Sequence, residues 1–334
     1  MSTVLLVGAG ATGARAARQL VDTPGVTSVV IADRDAEQAT ELARALGSTA
    51  TTAALDQPFP RGIDAVATAV PARTGAVVAE RAIDAGVPVA AIADDRDGIA
   101  ALVGLDDRAR AAGVTVAVGC GLVPGLGDVL ARHAADGLEE VDEVQVAHVG
   151  AAGPACVAAV RRARREPALE LVDGAWHVPE RHAPLLVWFP DPVGARECQV
   201  VAPGVELLRA AIPEIERACV RIGEPPVRRP AVALLRRRPL DDGWGAARVE
   251  VWGWRDGKRE TVVYGVIERP AVAAGTVLAV TAACLAGALP QISLRASDPT
   301  GAQPLGALVD PPSFLGELAR RGVKAAVFEG VAVG

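Results

Sequence analysis

The sequence predicts an α/β protein in two parts: an N-terminal doubly wound parallel sheet, then an α+β domain whose sheet is mainly antiparallel. Three observations carry this. From residue 4 to residue 118, short apolar runs alternate strictly with helical patterns, as expected for strands buried on both faces between helices. Beyond about residue 140, period-two strands and a hairpin take over. All five tryptophans fall between residues 176 and 254, so the two parts differ in composition as well as in pattern.

The first strand, 4–7, runs into Gly8-Ala9-Gly10-Ala11-Thr12-Gly13. Ala14, Ala17, Leu20 and Val21 then share one helical face. Strand, glycine turn and helix are the context in which G-x-G-x-x-G binds a dinucleotide. Gly8 permits the tight turn, Gly10 lets a pyrophosphate reach the backbone, and Gly13 lets helix and strand pack closely. The helix N-terminus adds free N–H groups and positive dipole, and the Thr12 hydroxyl could add a phosphate hydrogen bond. A second strand, 28–32, ends in Asp33, 20 residues past Gly13, where a carboxylate would hold the adenosine ribose. A plain structural turn is the competing reading.

The pattern continues with a helix over 36–46 stopped by Gly47, a strand over 49–53, a strand over 65–70 and a helix over 75–85 stopped by Gly86. A strand over 87–93 ends at Asp94-Asp95. One helix over 98–112, stopped by Gly113, a strand over 114–118 and a helix over 125–135 complete the first part. In such sheets the ligand lies outside the carboxyl ends of the strands. The second part opens with a strand over 141–149 and contains a hairpin, 248–254 and 260–267, turning at Asp256-Gly257. Residues 271–289 carry no charge, but their alanines, glycines and threonines fit a buried packing helix better than a membrane span. A helix over 313–321 and a strand over 325–328 are expected to return to the first domain. The domains are thus 1–137 for the dinucleotide, 138–300 for substrate and dimerisation, and 301–334 as the returning segment.

Composition narrows the function. The chain has 334 residues and a net charge of −6, and its basic residues are scattered, which argues against a nucleic-acid surface. The runs Arg161-Arg162-Ala163-Arg164-Arg165 and Arg236-Arg237-Arg238 read as solvated faces, with a carboxylate-binding arginine as the lesser alternative. Five widely spaced cysteines without a C-x-x-C pair indicate neither a zinc site nor a disulfide framework, and fit reduced thiols in the cytoplasm. No leader for secretion is seen at the N-terminus. The only lysines are Lys258 and Lys324, so neither a lysine base nor a Schiff base is expected. No histidine–carboxylate spacing suggests a metal.

Several stretches resemble the saccharopine dehydrogenase-like family, in particular its saccharopine reductase and lysine 6-dehydrogenase branch. They are VLLVGAGATG at 4–13, AVPAR at 69–73, GCGLVPGLGDVLARHAA at 119–135, FPDPVGARE at 189–197 and ELARRGV at 317–323. After the glycine loop, Pro124-Gly125-Leu126-Gly127-Asp128 is the most specific, with Asp128 where the family commonly has asparagine. The resemblance implies NAD(P)-dependent oxidation of an amine on an amino acid, or reduction of the corresponding imine. It also implies a homodimer with a mixed sheet in its substrate domain.

The expected cofactor is NAD rather than NADP, because Asp33 would repel a 2′-phosphate. Arg34 could stack on adenine or tolerate that phosphate. Cofactor contacts are expected from Gly8, Ala9, Gly10, Ala11, Thr12, Gly13, Asp33, Arg34, Ala69, Val70, Pro71 and Asp94. Asp94 and Asp95 end a strand beside the same crevice; one carboxylate could take the substrate's proton while the other caps the next helix. Asp128 could cap its own helix or bind the substrate amine. Cys120 reads as a packing residue lining the site rather than a nucleophile, since no base is evident. His148 is the best acid–base histidine; His133 reads as structural, and His177 and His182 as exposed. A redox-neutral enzyme with tightly held NAD, catalysing cyclisation, deamination or epimerisation, and a non-catalytic NAD-binding regulator are the alternatives to the dehydrogenase.

Overall fold

The computed structural model describes residues 1–179, 184–223, 243–296 and 298–331, with only the backbone of 328–331. His182 and Arg236-Arg237-Arg238 lie outside the described residues. The first part comprises β1 (Ser2–Val7), α1 (Ala11–Val21), β2 (Val26–Ala32), α2 (Ala36–Leu46), β3 (Ala50–Thr52), β4 (Ala65–Thr68), α3 (Ala72–Asp84), β5 (Val89–Ala91), α4 (Arg96–Val103), α5 (Asp106–Ala111), β6 (Thr115–Val118) and α6 (Leu126–Ala135). The expected helix over 98–112 is two helices. Gly104 ends the first, and buried Leu105 turns the chain into the core before the second begins.

The second part contains β7 (Glu140–Val149), α7 (Pro154–Ala163), β8 (Glu170–Val172), β9 (Ala175–His177), β10 (Leu185–Trp188), β11 (Ala195–Val201), α8 (Val205–Ala211), β12 (Arg217–Gly223), β13 (Gly245–Arg255) and β14 (Lys258–Glu268). Asp256 and Gly257 join β13 to β14 with φ of 51° and 69°, both positive as a tight twisted hairpin requires. The chain then returns through α9 (Pro270–Leu285), β15 (Gly301–Pro304), α10 (Leu305–Leu308), α11 (Pro311–Arg320) and β16 (Ala325–Val331).

Seven parallel strands form the first sheet in the order β15-β6-β5-β4-β1-β2-β3. The direction of winding reverses between β1 and β4, which opens the crevice where ligands bind in such folds. The second sheet has nine strands with the path β10-β11-β12-β7-β13-β14-β16, and β8 and β9 lie off it. It is antiparallel except where β12 runs parallel to β7.

Two features depart from the expected order. The uncharged helix α9 does not belong to the second sheet. It packs on α1 and on β4 and β5 of the parallel sheet. A side chain at Gly275 would meet Arg15 Cβ at 2.6 Å and the Thr12 carbonyl oxygen at 2.9 Å, so this glycine sets how closely α9 approaches α1. Burial on nearly every side explains its lack of a polar face, and among the described residues no helix is long and apolar enough to cross a membrane. The tail also divides. β15 extends the parallel sheet beside β6, whereas β16 pairs with β14, covering an edge of the second sheet that would otherwise expose its hydrogen-bonding groups.

One apolar core joins the two parts. It runs from Val4, Leu6 and Ile31 through α1, α6 and α9 to Val144, Val146, Val249 and Val251 on the inner face of the second sheet. A separate core fills the other side of the parallel sheet under α3 and α4. The crevice is therefore built between two sheets anchored to a common interior.

Candidate functional site

The glycine turn has the shape its spacing predicts. Gly8 lies at φ +107°, and a Cβ there would meet the Ala69 carbonyl oxygen at 2.5 Å, so the turn abuts the end of β4. A Cβ on Gly13 would overlap the Gly8 carbonyl oxygen. Gly10 differs: nothing lies within 4 Å of the position its Cβ would take. Two glycines are thus demanded by packing, and the third faces open space at the N-terminus of α1. No side chain caps that terminus and no acidic residue stands in its first turn, which leaves its N–H groups and dipole for an anion. The turn fits a dinucleotide pyrophosphate.

Asp33 closes the second edge. Its carboxylate accepts hydrogen bonds from Ala9 N at 2.6 Å and Asp35 N at 2.9 Å, and Gln38 donates to the Ala9 carbonyl at 3.1 Å. The end of β2 is thereby tied to the glycine turn, while Arg34 is exposed beside it. Ala69 and Val70 are partly buried at the end of β4, and exposed Pro71 starts α3.

The Asp94-Asp95 pair divides its work. Asp95 is the N-cap of α4, its side chain accepting from Gly98 N at 2.9 Å. Asp94, partly buried, takes no part in that cap. Burial, and then the neighbouring Asp95, push its carboxyl up to about 6, opposed in part by its own backbone and by the charge of Arg162. Arg162 and Cys156, whose thiol also feels Asp94, both belong to α7. The turn before α7 reaches the nucleotide loop, since a Cβ on Gly153 would lie 3.3 Å from Ala11 Cβ. Helix α7 of the second part therefore stands over the crevice of the first.

Residues 2–91 match the oxidoreductase family with an NAD-binding Rossmann fold. The match ends with β5, three residues before Asp94. Solved structures share the fold over most of the chain. Apo histidine-tagged saccharopine dehydrogenase (L-Glu forming) from Saccharomyces cerevisiae superposes with a TM-score of 0.69 at 15% identity, covering 99% of this chain and 100% of that one. An amine dehydrogenase from Mycobacterium smegmatis gives 0.55 at 12% identity, covering 92% and 96%. A probable dehydrogenase from Thermotoga maritima gives 0.50 at 11% identity, covering 98% of each chain. At these identities the likeness establishes architecture: an NAD-binding type of α/β domain with a second, mixed-sheet domain.

The other candidate side chains have the following settings. Cys120 is fully buried in the main core; its thiol contacts the Ala117 carbonyl at 3.4 Å, and desolvation pushes it up to about 12, so it stays protonated and unreactive. Asp128 is 1% exposed. It accepts from Gly125 N at 3.1 Å, and burial holds its carboxyl up at about 8. As the third residue of α6 it satisfies the N–H of the Gly125 N-cap, and it packs against α10, where a Cβ on Gly306 would meet its backbone at 2.8 Å. The Pro124-Gly125-Leu126 segment is thus a packed corner between β6 and α6, with Gly125 at φ +131° and Gly204 seated on Pro124. His148 lies on the inner face of β7, two residues along from Val146, where desolvation lowers its imidazole to about 4 and keeps it neutral. His133 stacks near Tyr264 at 5.9 Å, and exposed His177 meets Glu170 at 3.0 Å.

Sequence reasoning did not anticipate the part played by α7. From sequence its arginines read chiefly as a solvated face, and Arg161, Arg162 and Arg165 are exposed. The available signal was Gly153-Pro154, a helix start immediately after β7. Nothing local to 150–163 reports that this start lands on the nucleotide turn.

Proposed function

We propose that the protein is an NAD(P)-dependent oxidoreductase acting on the C–N bond of an amino acid or related amine, by oxidative deamination or, in reverse, imine reduction. The observation that carries this reading is Asp94, a desolvated carboxyl near neutrality three residues past β5, within the field of Arg162 on the helix α7 whose start reaches the glycine turn. NAD in the crevice would accept the hydride from the substrate carbon, or deliver it in the other direction. The turn 8–13 and the N-terminus of α1 would hold the pyrophosphate, Asp33 the ribose, and the backbone at 69–71 the nicotinamide side. A substrate ammonium must lose a proton before the C–N bond can be oxidised. An Asp94 carboxylate titrating at about 6 can take that proton near neutral pH and return it in the reverse reaction. Arg162, close enough to stabilise the Asp94 anion, would face the substrate carboxylate and favour amino acids over simple amines.

The same reading has NAD preferred to NADP, on the ground of Asp33, and a homodimer in the cytoplasm, where a reducing environment suits its five unpaired thiols. The test is a screen of amino acids, diamines and oxo-acid–ammonia pairs for NADH formation or consumption. The expected result is turnover with one amine class, lowered about a hundredfold or more in kcat/KM by Asp94→Asn with NADH affinity retained. NADH binding with no redox turnover on any amine or imine would overturn it.

A further inference from the structure

The second sheet has an outer face that the crevice does not use. On β7, Ala147 pairs with Arg221 of β12 on one side and with Arg248 of β13 on the other. Residues in register across neighbouring strands point to the same face, so two arginine stems rise on either side of one methyl group, with Cα atoms about 10 Å apart across two strand spacings. The next rung brings Cys219, Gln145 and Glu250 into line. Strand β10 forms a wall beside this floor, leaving an open pocket of about 110 Å³. The face is distinct from the crevice. Ala147 belongs with Val187, Phe189 and Cys198 to a small apolar cluster of its own, whereas Val144 and Val146 join the core shared with the parallel sheet.

The lining is charged on one side and apolar on the other. Arg248 is engaged, donating to Glu250 at 2.5 Å and to the Trp188 carbonyl at 3.1 Å. Gln145 donates an amide N–H to Glu143 at 2.6 Å, and its side-chain oxygen has no hydrogen bond among the described residues. Arg221 leans on the Cys219 sulfur, a weak acceptor, and its buried Nε has no partner among the described residues. Within the lining two guanidinium groups meet the Glu250 carboxylate, and the charges of Glu143 and Glu170 act on Cys219 beside Arg221. The wall offers Leu185, 48% exposed and on the same face of β10 as Val187, apolar surface left in water beside a cation.

We infer that this cavity is a second binding site, taking a small organic carboxylate that carries an apolar or aromatic group. A guanidinium fork matches a carboxylate in both shape and charge, and a buried guanidinium nitrogen such as the Arg221 Nε without an acceptor is costly. The apolar group lies against Leu185 and removes it from water. The site is independent of the proposed redox chemistry, because it occupies the opposite face of the sheet.

The test is fluorine NMR of fluorophenylacetate with the full-length protein, alongside the neutral fluorophenethyl alcohol. Broadening of the carboxylate alone is expected. It should survive saturation with NADH and be reversed by excess acetate but not by ethanol. Arg221→Met should weaken binding about tenfold or more, with NADH affinity and melting transition unchanged, and Arg221→Lys should recover part of the loss. Equal binding of the alcohol, displacement by NADH, failure of acetate to compete, or undiminished binding in the Met variant would each overturn the proposal. So would a change in native mass accompanying the loss in Arg221→Met, which would make this face a contact between copies. The acetate arm uses wild-type protein, so the proposal stays testable if the Met variant does not fold.

Discussion

Asp94→Asn offers the sharpest test, because stability and catalysis should respond in opposite directions. Asparagine keeps the volume and removes the charge. The Asp94 carboxyl is displaced from an ordinary 3.8 to about 6, chiefly by burial. At about 1.4 kcal/mol per pH unit, that is a penalty of about 3 kcal/mol for holding the ionised form in the folded protein. The sign follows from proton binding. Between pH 3.8 and about 6 the folded chain still holds a proton that the unfolded chain has lost, so stability falls as pH rises through this window and levels off above it. Relative to wild type, Asp94→Asn should therefore be more stable by up to about 3 kcal/mol at pH 8 and nearly equal at pH 3, read from urea unfolding midpoints. The kcat/KM profile of the wild type should show one inflection near 6. His148, held at about 4, remains neutral over the working range and contributes none there. A stability difference that does not change with pH, or a variant less stable at pH 8, would refute the assignment of a desolvated carboxyl to this position.

Three further outcomes are expected. Gly10→Ala should melt like wild type but bind NADH about tenfold or more weakly, because its methyl enters open space, whereas Gly13→Ala should lose about 1–3 kcal/mol or more of stability through overlap with the Gly8 carbonyl; calorimetry and NADH fluorescence titration separate the two. Asp33→Ala removes the acceptor of the Ala9 N–H and should raise the ratio of NADP to NAD efficiency in steady-state assays; an unchanged ratio would remove Asp33 from cofactor selection. Gly275→Ala, which in an exposed helix would gain about 1 kcal/mol, should instead destabilise by about 1–3 kcal/mol by pushing α9 off α1, as measured by thermal unfolding.

The first part of the molecule was legible because its signals are local. An apolar run, a glycine turn with fixed spacing and a carboxylate at the next strand end each report on a few adjacent residues, and hydrogen bonding between neighbours then produces the observed geometry. The Asp94-Asp95 pair was half legible. A cap and a free carboxylate were expected, and only the bond from Gly98 N to Asp95 says which residue is which. The corner at 119–128 shows the opposite case. Its motif stood out for chemistry, yet Cys120 and Asp128 are enclosed by residues from α6, α9 and α10 that no short window contains.

By itself the sequence determined the alternation of strands and helices, the two-part architecture, the glycine turn and the position of Asp33, since each follows from periodicity and backbone freedom along a contiguous stretch. The tertiary structure alone decided that α9 joins the first sheet, that β16 joins the second, and that α7 brings Arg162 and Cys156 to Asp94. It also placed Arg221 and Arg248 on either side of Ala147. These are pairings between residues tens to hundreds of positions apart, set by which apolar faces and open sheet edges remain to be covered once the local elements have formed.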